Sequence, residues 1–146
     1  MADTLHLQIV TPDRLLVNEE SEQVQIPGRN GELGILPGHA PLISELKIGE
    51  ISYRAGTTTQ YLAVAWGFAE VLPDKVTILA DAAERAEDID VKRAQEAKAR
   101  ADEALKNPTP DMDYQATLDA IKRAEVRMKV ALYANEGTIQ PPIQPT

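Results

Sequence analysis

Apolar and polar residues alternate along roughly the first eighty positions of the chain, and this alternation is the period of a half-buried β-strand. Runs with this pattern are Leu5–Ile9, Val24–Ile26 and Lys47–Arg54. Turn-forming residues such as Pro27-Gly28 and Asn30-Gly31 separate the runs. Short strands about ten residues apart, with turn signals between them, predict an antiparallel β-sandwich or barrel.

The run from Gln60 to Leu72 is the most apolar part of the chain. A strand that is apolar on both faces is typical of the centre of a sheet. Strict alternation would place Leu62, Val64, Trp66 and Phe68 on one face, and Tyr61, Ala63, Ala65 and Gly67 on the other. The sequence therefore predicts a central strand here, followed by a final strand at Val76–Leu79.

From Asp88 onward the apolar positions recur with a helical period. Asp88 is predicted as the N-cap of a first helix, with Asp90 in its first turn. Asn107-Pro108 ends that helix, and Asp113 caps a second one. A short connection and alanine-rich stripes predict an antiparallel helical hairpin. Because a buried alanine contributes little apolar area, we expect the hairpin to be weakly held.

These patterns together predict an α+β fold in three segments. Residues 1–84 form an all-β sandwich domain, and residues 85–134 form an antiparallel two-helix hairpin. Residues 135–146 contain Pro141, Pro142 and Pro145, which predicts a disordered, extended tail.

Composition narrows the classes of function. The chain has 146 residues, no cysteine and a formal net charge of −8, so disulfides are excluded and nucleic-acid binding is disfavoured. We expect a cytoplasmic protein with no membrane insertion, because the sequence shows neither a signal segment nor an apolar run of about 18 residues. Ten of the 15 basic residues follow residue 83, so an anion site is expected in the helices.

Four arginines are the candidates for such a site. Arg93 and Arg100 are seven residues apart, and Arg123 and Arg127 are four apart, so each pair shares one helix face. Folding the hairpin near Thr109 brings the two pairs within a few turns of each other. The guanidinium fork of arginine suits phosphate oxygens.

Neighbouring residues extend this hypothesis. Asp90 offers an acceptor for an amino group or a ribose hydroxyl, while Ile89 and Ala94 offer apolar contact to a flat ring. The alternative is a solvated face, on which Glu96–Arg100 and Asp119–Arg123 are ordinary ion pairs between residues four apart. Charge runs of this kind are most often solvated surface.

No catalytic constellation is visible in the sequence. Ser21, Ser44 and Ser52 have no histidine or aspartate positioned to activate them, and Glu32 and His39 are best interpreted as loop residues. There is also no metal-ligand cluster. We expect a protein that is not an enzyme, needs no cofactor and holds no metal.

Three segments of the chain are distinctive: Val10-Thr11-Pro12-Asp13, Gly31-Glu32-Leu33-Gly34-Ile35-Leu36-Pro37-Gly38-His39-Ala40-Pro41-Leu42 and Pro73-Asp74-Lys75-Val76-Thr77-Ile78-Leu79-Ala80. They resemble the epsilon subunit of bacterial F-type ATP synthase. The resemblance covers residues 4 to 134 or so, and the second segment is highly specific.

The resemblance implies a sandwich of about ten strands followed by two helices, in a non-catalytic subunit of the central rotor stalk. Such a subunit couples proton flow to ATP synthesis at the cytoplasmic face of the bacterial inner membrane. The implied partners are the gamma subunit, the c-ring and, when the hairpin extends, the alpha and beta subunits, where the helices inhibit ATP hydrolysis. Glu32, Gly34 and His39 are implied to face the c-ring.

Some members of this family bind ATP in the folded hairpin as a regulatory ligand. The resemblance implies an ATP site formed by Glu84, Ile89, Asp90, Arg93, Ala94, Arg100, Arg123 and Arg127. A free-standing ATP-sensing adaptor with the same hairpin is the alternative function.

Three features depart from the family pattern. Ala65-Trp66-Gly67-Phe68 replaces the more usual double glycine before the phenylalanine. Pro108 and Pro110 stiffen the turn between the helices, and the proline-rich tail is additional. The prolines and the tail bear on whether the hairpin extends.

Overall fold

A computed structural model of the chain describes residues 3–135, in which eight strands precede two helices. The elements are β1 (Leu5–Val10), β2 (Leu15–Ser21), β3 (Gln23–Gly28), β4 (Gly31–Ile35), β5 (Leu42–Leu46), β6 (Gly49–Ala55), β7 (Thr58–Leu72), β8 (Lys75–Arg85), a short 3₁₀ helix (Ala86–Asp88), α1 (Val91–Lys106) and α2 (Tyr114–Asn135). Beyond Asn135, the predicted tail lies outside the described residues.

The strands follow the order β2-β1-β8-β7-β5-β3-β4, and β6 pairs with both β3 and β7. All pairings are antiparallel except that of β1 with β8, in which Val10 lies opposite Leu79. β2 also packs near β6, so the sheet folds over on itself into a sandwich.

The predicted α+β class is confirmed, but the residues described contain eight strands rather than ten or so. Part of the difference arises because β7 is one continuous strand of 15 residues. Its first half pairs with β6 and its second half with β5, while β8 runs along its other edge. The prediction of a central strand between Gln60 and Leu72 is confirmed by this position.

One apolar core fills the sandwich. In β1, Leu5, Leu7 and Ile9 are fully buried and alternate with partly exposed residues, as the sequence period predicts. Tyr53 and Ile51 enter the same core from β6. Each such side chain contributes about 1.5–3 kcal/mol when it leaves water, so this core is the main source of stability.

The alternation of β7 is interrupted at Trp66-Gly67, and the predicted sharing of one face by Leu62 to Phe68 is wrong. Trp66 has φ 61° and Gly67 has φ 139°, both outside the extended region. Before the interruption Leu62 and Val64 face the core, and after it Ala69 and Val71 do. Phe68 is consequently turned outward.

Both helices begin at aspartate caps. Asp90, not Asp88, is the N-cap of α1, since its side chain accepts a hydrogen bond from the backbone N–H of Arg93 (3.1 Å). Asp88 instead ends the 3₁₀ helix, because the chain extends at Ile89 and buries that side chain before α1 starts. Asp113 caps α2 through the N–H of Ala116 (3.0 Å), as predicted.

Candidate functional site

The helical hairpin rests on the sandwich through α2. This helix packs against α1 on one side and against β6, β7 and the 3₁₀ helix on the other. The apolar contact is small, and three of its five buried residues are alanines. They are Ala63, Ala86, Ile89, Val130 and Ala131. At its edge the rings of Tyr61 and Tyr133 stack with centroids 3.8 Å apart.

Polar contacts join the same two surfaces. Arg127 donates from Nε to Oε1 of Glu84 (2.6 Å) and from its terminal nitrogen to Oε2 (3.4 Å). Lys129 Nζ lies 3.6 Å from Oε1 of Glu50, whose Oε2 is buried without a hydrogen-bond partner. A buried carboxylate oxygen with no donor opposes burial, so this second contact is the weaker one.

Three of the predicted nucleotide-site residues meet at this interface. Glu84, Arg123 and Arg127 line a cleft of about 70 Å³ between the sandwich and α2. Small-molecule pockets usually measure roughly 300 Å³ or more. With the hairpin seated in this position, the cleft is too small to enclose a nucleotide.

The other five predicted residues lie on or before α1 and do not line that cleft. Ile89 and Ala94 are buried within the fold, and Asp90 is occupied as the helix cap. Arg93 and Arg100 are exposed. Neither forms a salt bridge with any residue between 3 and 135. The structure thus divides the predicted set into an interface group and an exposed pair of arginines.

The three residues predicted to face the c-ring lie along β4 and the loop that follows it. Glu32 is exposed near the start of β4 and accepts a hydrogen bond from Gln25 (3.3 Å). Gly34 lies opposite Gln25 in the β3–β4 ladder. His39 lies beyond β4, and its Nδ1 is 2.7 Å from the carbonyl oxygen of Ala40.

The loop at residues 36–41 is fixed to the turn between β7 and β8. The N–H of Gly38 donates to the carbonyl of Pro73 (2.7 Å), and the N–H of His39 to that of Leu36 (3.1 Å). Gly38 has φ 89°, which a residue with a Cβ rarely adopts. The twelve-residue motif therefore forms a defined end of the sandwich, with Leu36 exposed beside His39.

An apolar outer surface, which sequence patterning did not predict, extends over five neighbouring strands of the sandwich, from β2 to β5. Phe68 lies directly opposite Leu79, and both are about half exposed. On one side Ile43 of β5 is 72% exposed, and on the other Leu15 of β2 is exposed as well. We call Leu15, Ile43, Phe68 and Leu79 the outer apolar face.

The pairing register places these four residues on the same side of the sheet. Phe68 is opposite Glu45, two positions from Ile43, while Leu79 and Leu15 both pair with Val10. The outward turn of Phe68 depends on the interruption at Trp66, and the signal for it in the sequence is the Trp66-Gly67 pair within an otherwise apolar run.

The two parts of the chain each match a family description. Residues 4–86 match "ATP synthase, Delta/Epsilon chain, beta-sandwich domain", and residues 87–131 match "ATP synthase, Delta/Epsilon chain, long alpha-helix domain". The chain belongs to the ATP synthase epsilon-chain family. The resemblance in the three sequence motifs is therefore confirmed.

Relatives within the epsilon-chain family are close in sequence. An ATP synthase epsilon chain from Koribacter versatilis is 68% identical over 111 residues, which are 76% of this chain and 78% of that one. One from Nitratidesulfovibrio vulgaris is 47% identical over 130 residues, or 89% and 97% of the two chains. As these names indicate a chain of the ATP synthase complex, the prediction of a non-catalytic subunit is confirmed.

Solved structures share the fold. A chain of the mitochondrial ATP synthase of Euglena gracilis, solved as OSCP/F1/c-ring, superposes with a TM-score of 0.67 at 22% identity, over 93% of this chain and 83% of that one. A chain from the central stalk/c-ring of the Tetrahymena thermophila enzyme gives 0.55 at 15% identity, over 89% and 95%. Between residues 3 and 135 of the epsilon-family chain, no helix is long and apolar enough to cross a membrane.

Proposed function

We propose that the chain is a rotor-stalk subunit that couples proton flow to ATP synthesis by binding the gamma subunit through the outer apolar face. The observation that carries this proposal is the exposure of Ile43, Phe68 and Leu79 side by side on the sheet. Contiguous exposed apolar residues of this kind are typical of protein–protein interfaces. Family membership supports the subunit role over the free-standing ATP-sensing adaptor.

The end of the sandwich formed by the loop at residues 36–41 is the proposed contact with the c-ring. Its backbone is held by the Gly38–Pro73 hydrogen bond, so the loop presents Leu36 and His39 in a fixed arrangement. Glu32 and Gly34 on β4 are proposed to contribute to the same contact. The subunit then resides at the cytoplasmic face of the bacterial inner membrane, as a peripheral part of the complex.

Binding of the gamma subunit is tested by placing a charge on the outer apolar face. Phe68→Asp and Leu79→Asp should each weaken the affinity for an alpha–beta–gamma core complex by about thirtyfold or more, because a desolvated apolar contact is replaced by a buried charge. Thr57→Asp is the control, since Thr57 is exposed in the turn between β6 and β7 and is not part of the outer apolar face. Wild-type affinity in both variants of the outer apolar face would exclude this surface.

The hairpin is proposed to regulate ATP hydrolysis. Its contact with the sandwich is small and is formed partly by alanines, so little free energy is lost when the hairpin leaves it. A second position along gamma, alpha and beta can therefore compete with the docked one. In the extended position the helices would inhibit hydrolysis by the complex. A disulfide engineered across Ala63 and Ala131 should hold the hairpin down, and oxidation should raise hydrolysis relative to the reduced form.

ATP is a second proposed ligand of the hairpin. Arg123 and Arg127 line the interface cleft, and Arg93 and Arg100 are exposed on α1, so four guanidinium groups are present for phosphate binding. Because the closed cleft is small, binding requires the Arg127–Glu84 pair to open and the hairpin to shift on the sandwich. This predicts that ATP changes the hairpin's position.

Calorimetry on the full chain tests the nucleotide proposal. Arg100→Ala should abolish the heat of ATP binding without affecting the interface pair, whereas Asp90→Ser should keep the helix cap and remove only a ligand contact. Lys98→Ala is the control, because Lys98 is also on α1 but is paired with Asp102 (2.8 Å). No heat from the wild-type chain at millimolar ATP would reject this ligand.

A further inference from the structure

Trp66 has an unfavourable backbone conformation. Of the non-glycine residues between 3 and 135, it alone has a positive φ, at 61°. The left-handed region is costly for a bulky side chain because its Cβ crowds the backbone. The ladder of β7 with β8 continues on both sides, with Ala65 opposite Ala82 and Gly67 opposite Ala80, so the surrounding pairs hold Trp66 in place. Strained residues held this way cluster at functional sites.

This conformation presents an aromatic surface to solvent. The Trp66 side chain is 41% exposed and Phe68 is 53% exposed. Both line an open cavity of about 410 Å³ at the end of β5, together with Arg29, Glu45, Lys47 and Asp81. Exposed apolar side chains that lie together, rather than singly, mark surfaces at which other proteins bind.

The cavity is lined by both aromatic and charged side chains. Arg29 and Glu45 form a salt bridge with each other. Lys47 and Asp81 also line the cavity, and within the described part of the chain neither is in a salt bridge. An aromatic centre surrounded by polar groups that exclude water is the usual anatomy of an interface hot spot.

We propose that Trp66 is the anchor of the gamma-subunit interface, where it and Phe68 receive a large apolar side chain of gamma. This role rests on the function proposed above, and it makes Trp66 the residue that determines the affinity of the chain for gamma. Continuity supports this occupant, because Phe68 belongs both to the cavity and to the outer apolar face. The strain at Trp66 is retained because the extended conformation would turn both aromatic rings away from gamma.

Trp66→Gly separates binding from folding. Glycine adopts a positive φ without strain, so the variant keeps the shape of β7 and should unfold at the same or a higher denaturant concentration than the wild type. Its affinity for the alpha–beta–gamma core complex should nevertheless fall by about tenfold or more. Thr57→Gly, in the exposed turn between β6 and β7, should leave that affinity unchanged.

A direct readout uses the single tryptophan of the chain. Replacing it biosynthetically with 5-hydroxytryptophan allows excitation apart from the tryptophans of the partner. Quenching by acrylamide should fall sharply when the core complex is added. Unchanged quenching in the bound state would overturn the proposal.

The outcomes also distinguish this inference from the proposed function. If Trp66→Gly binds like the wild type while Phe68→Asp does not, the anchor is wrong and the gamma-binding face stands. If the wild-type chain fails to bind the core complex, both are wrong. If sedimentation shows that Trp66→Gly instead abolishes a dimer of this chain, the occupant is a second copy and the proposal is overturned.

Discussion

Tyr53 is the largest side chain that the sandwich core buries completely. Its hydroxyl accepts a hydrogen bond from Arg85 (3.3 Å), and Arg85 also donates to the carbonyl of Leu16 (3.1 Å). Burial, followed by the hydrogen bond to Glu19, raises the pKa of Tyr53 to about 12. The last residue of β8 is thereby tied to the core through a phenol that stays neutral.

The raised pKa of Tyr53 predicts a loss of stability in alkali. The folded chain holds the phenolic proton above pH 10 while the unfolded chain releases it, so stability falls as the pH rises from 10 to 12. The loss should reach about 2 kcal/mol relative to Tyr53→Phe, which has no proton to release. Urea unfolding of the wild type and of Tyr53→Phe, at about pH 9 and about pH 11.5, measures this loss of stability. If the wild type and Tyr53→Phe lost equal stability between the two pH values, the raised pKa of Tyr53 would be contradicted.

Gly67 is the residue on which the interruption of β7 depends. A Cβ at this position would lie 2.2 Å from the carbonyl oxygen of Leu79, and the φ of 139° is closed to other residues. Gly67→Ala should therefore destabilise the sandwich by about 3 kcal/mol or more, as measured by denaturant unfolding. Gly34→Ala is the matched control within β4, because nothing lies within 4 Å of a Cβ there. Equal stability of the two variants would refute the steric argument.

At the scale of elements, α2 is held by contacts of modest strength. The Arg127–Glu84 pair is partly exposed to solvent, which screens it, and the apolar cluster beneath it is small. α1 contacts mainly α2, so release of α2 frees the whole hairpin. The interface is thus suited to reversible separation while the sandwich stays folded.

Breaking the Arg127–Glu84 pair should loosen the hairpin alone. Arg127→Gln should lower the free energy of hairpin opening by about 1 kcal/mol, which is about a fivefold increase in amide exchange. The increase is expected in α1 and α2, with protection of β1 unchanged. Lys98→Gln removes an ion pair within α1 and is the control, because Lys98 does not touch the sandwich interface. Faster exchange throughout the molecule would mean that the pair stabilises the entire fold.

Much of the fold follows from local patterns, and the exceptions have physical causes. The alternation of β1, the cap at Asp113 and the central place of β7 were all predictable from sequence periods. At Trp66 the set of alternate residues that face the core changes. This was not predictable, because a strand period assumes an unbroken extended backbone. Asp90 rather than Asp88 is the N-cap of α1 because Ile89 is buried against α2, and this is a tertiary contact that local sequence patterns do not show. For the same reason, helical spacing could group the arginines but could not show that Arg127 is taken by Glu84.

At the scale of the whole molecule, the place where the hairpin is removed matters. Truncation after Ala83 deletes Arg85 and its bonds to Tyr53 and Leu16, so it damages the sandwich as well as removing the helices. Truncation after Asp88 keeps β8 and the 3₁₀ helix whole. It should raise ATP hydrolysis by the assembled complex while proton-driven synthesis is retained. Hydrolysis that stays at the wild-type level would show that the helices do not inhibit in this enzyme.

The parallel contact of β1 with β8 sets the order in which the protein is completed during synthesis. The first strand to leave the ribosome has β2 beside it early, but its other edge waits for residues 75–79. Pairing strands so distant in sequence carries a high loop-closure cost and makes such folds slow. The sandwich can close once β8 is available, but the helix that packs on it, α2, begins only at Tyr114. The docking surface that includes Ala63 and Tyr61 therefore stays uncovered until α2, the last element of the described chain, has been synthesised.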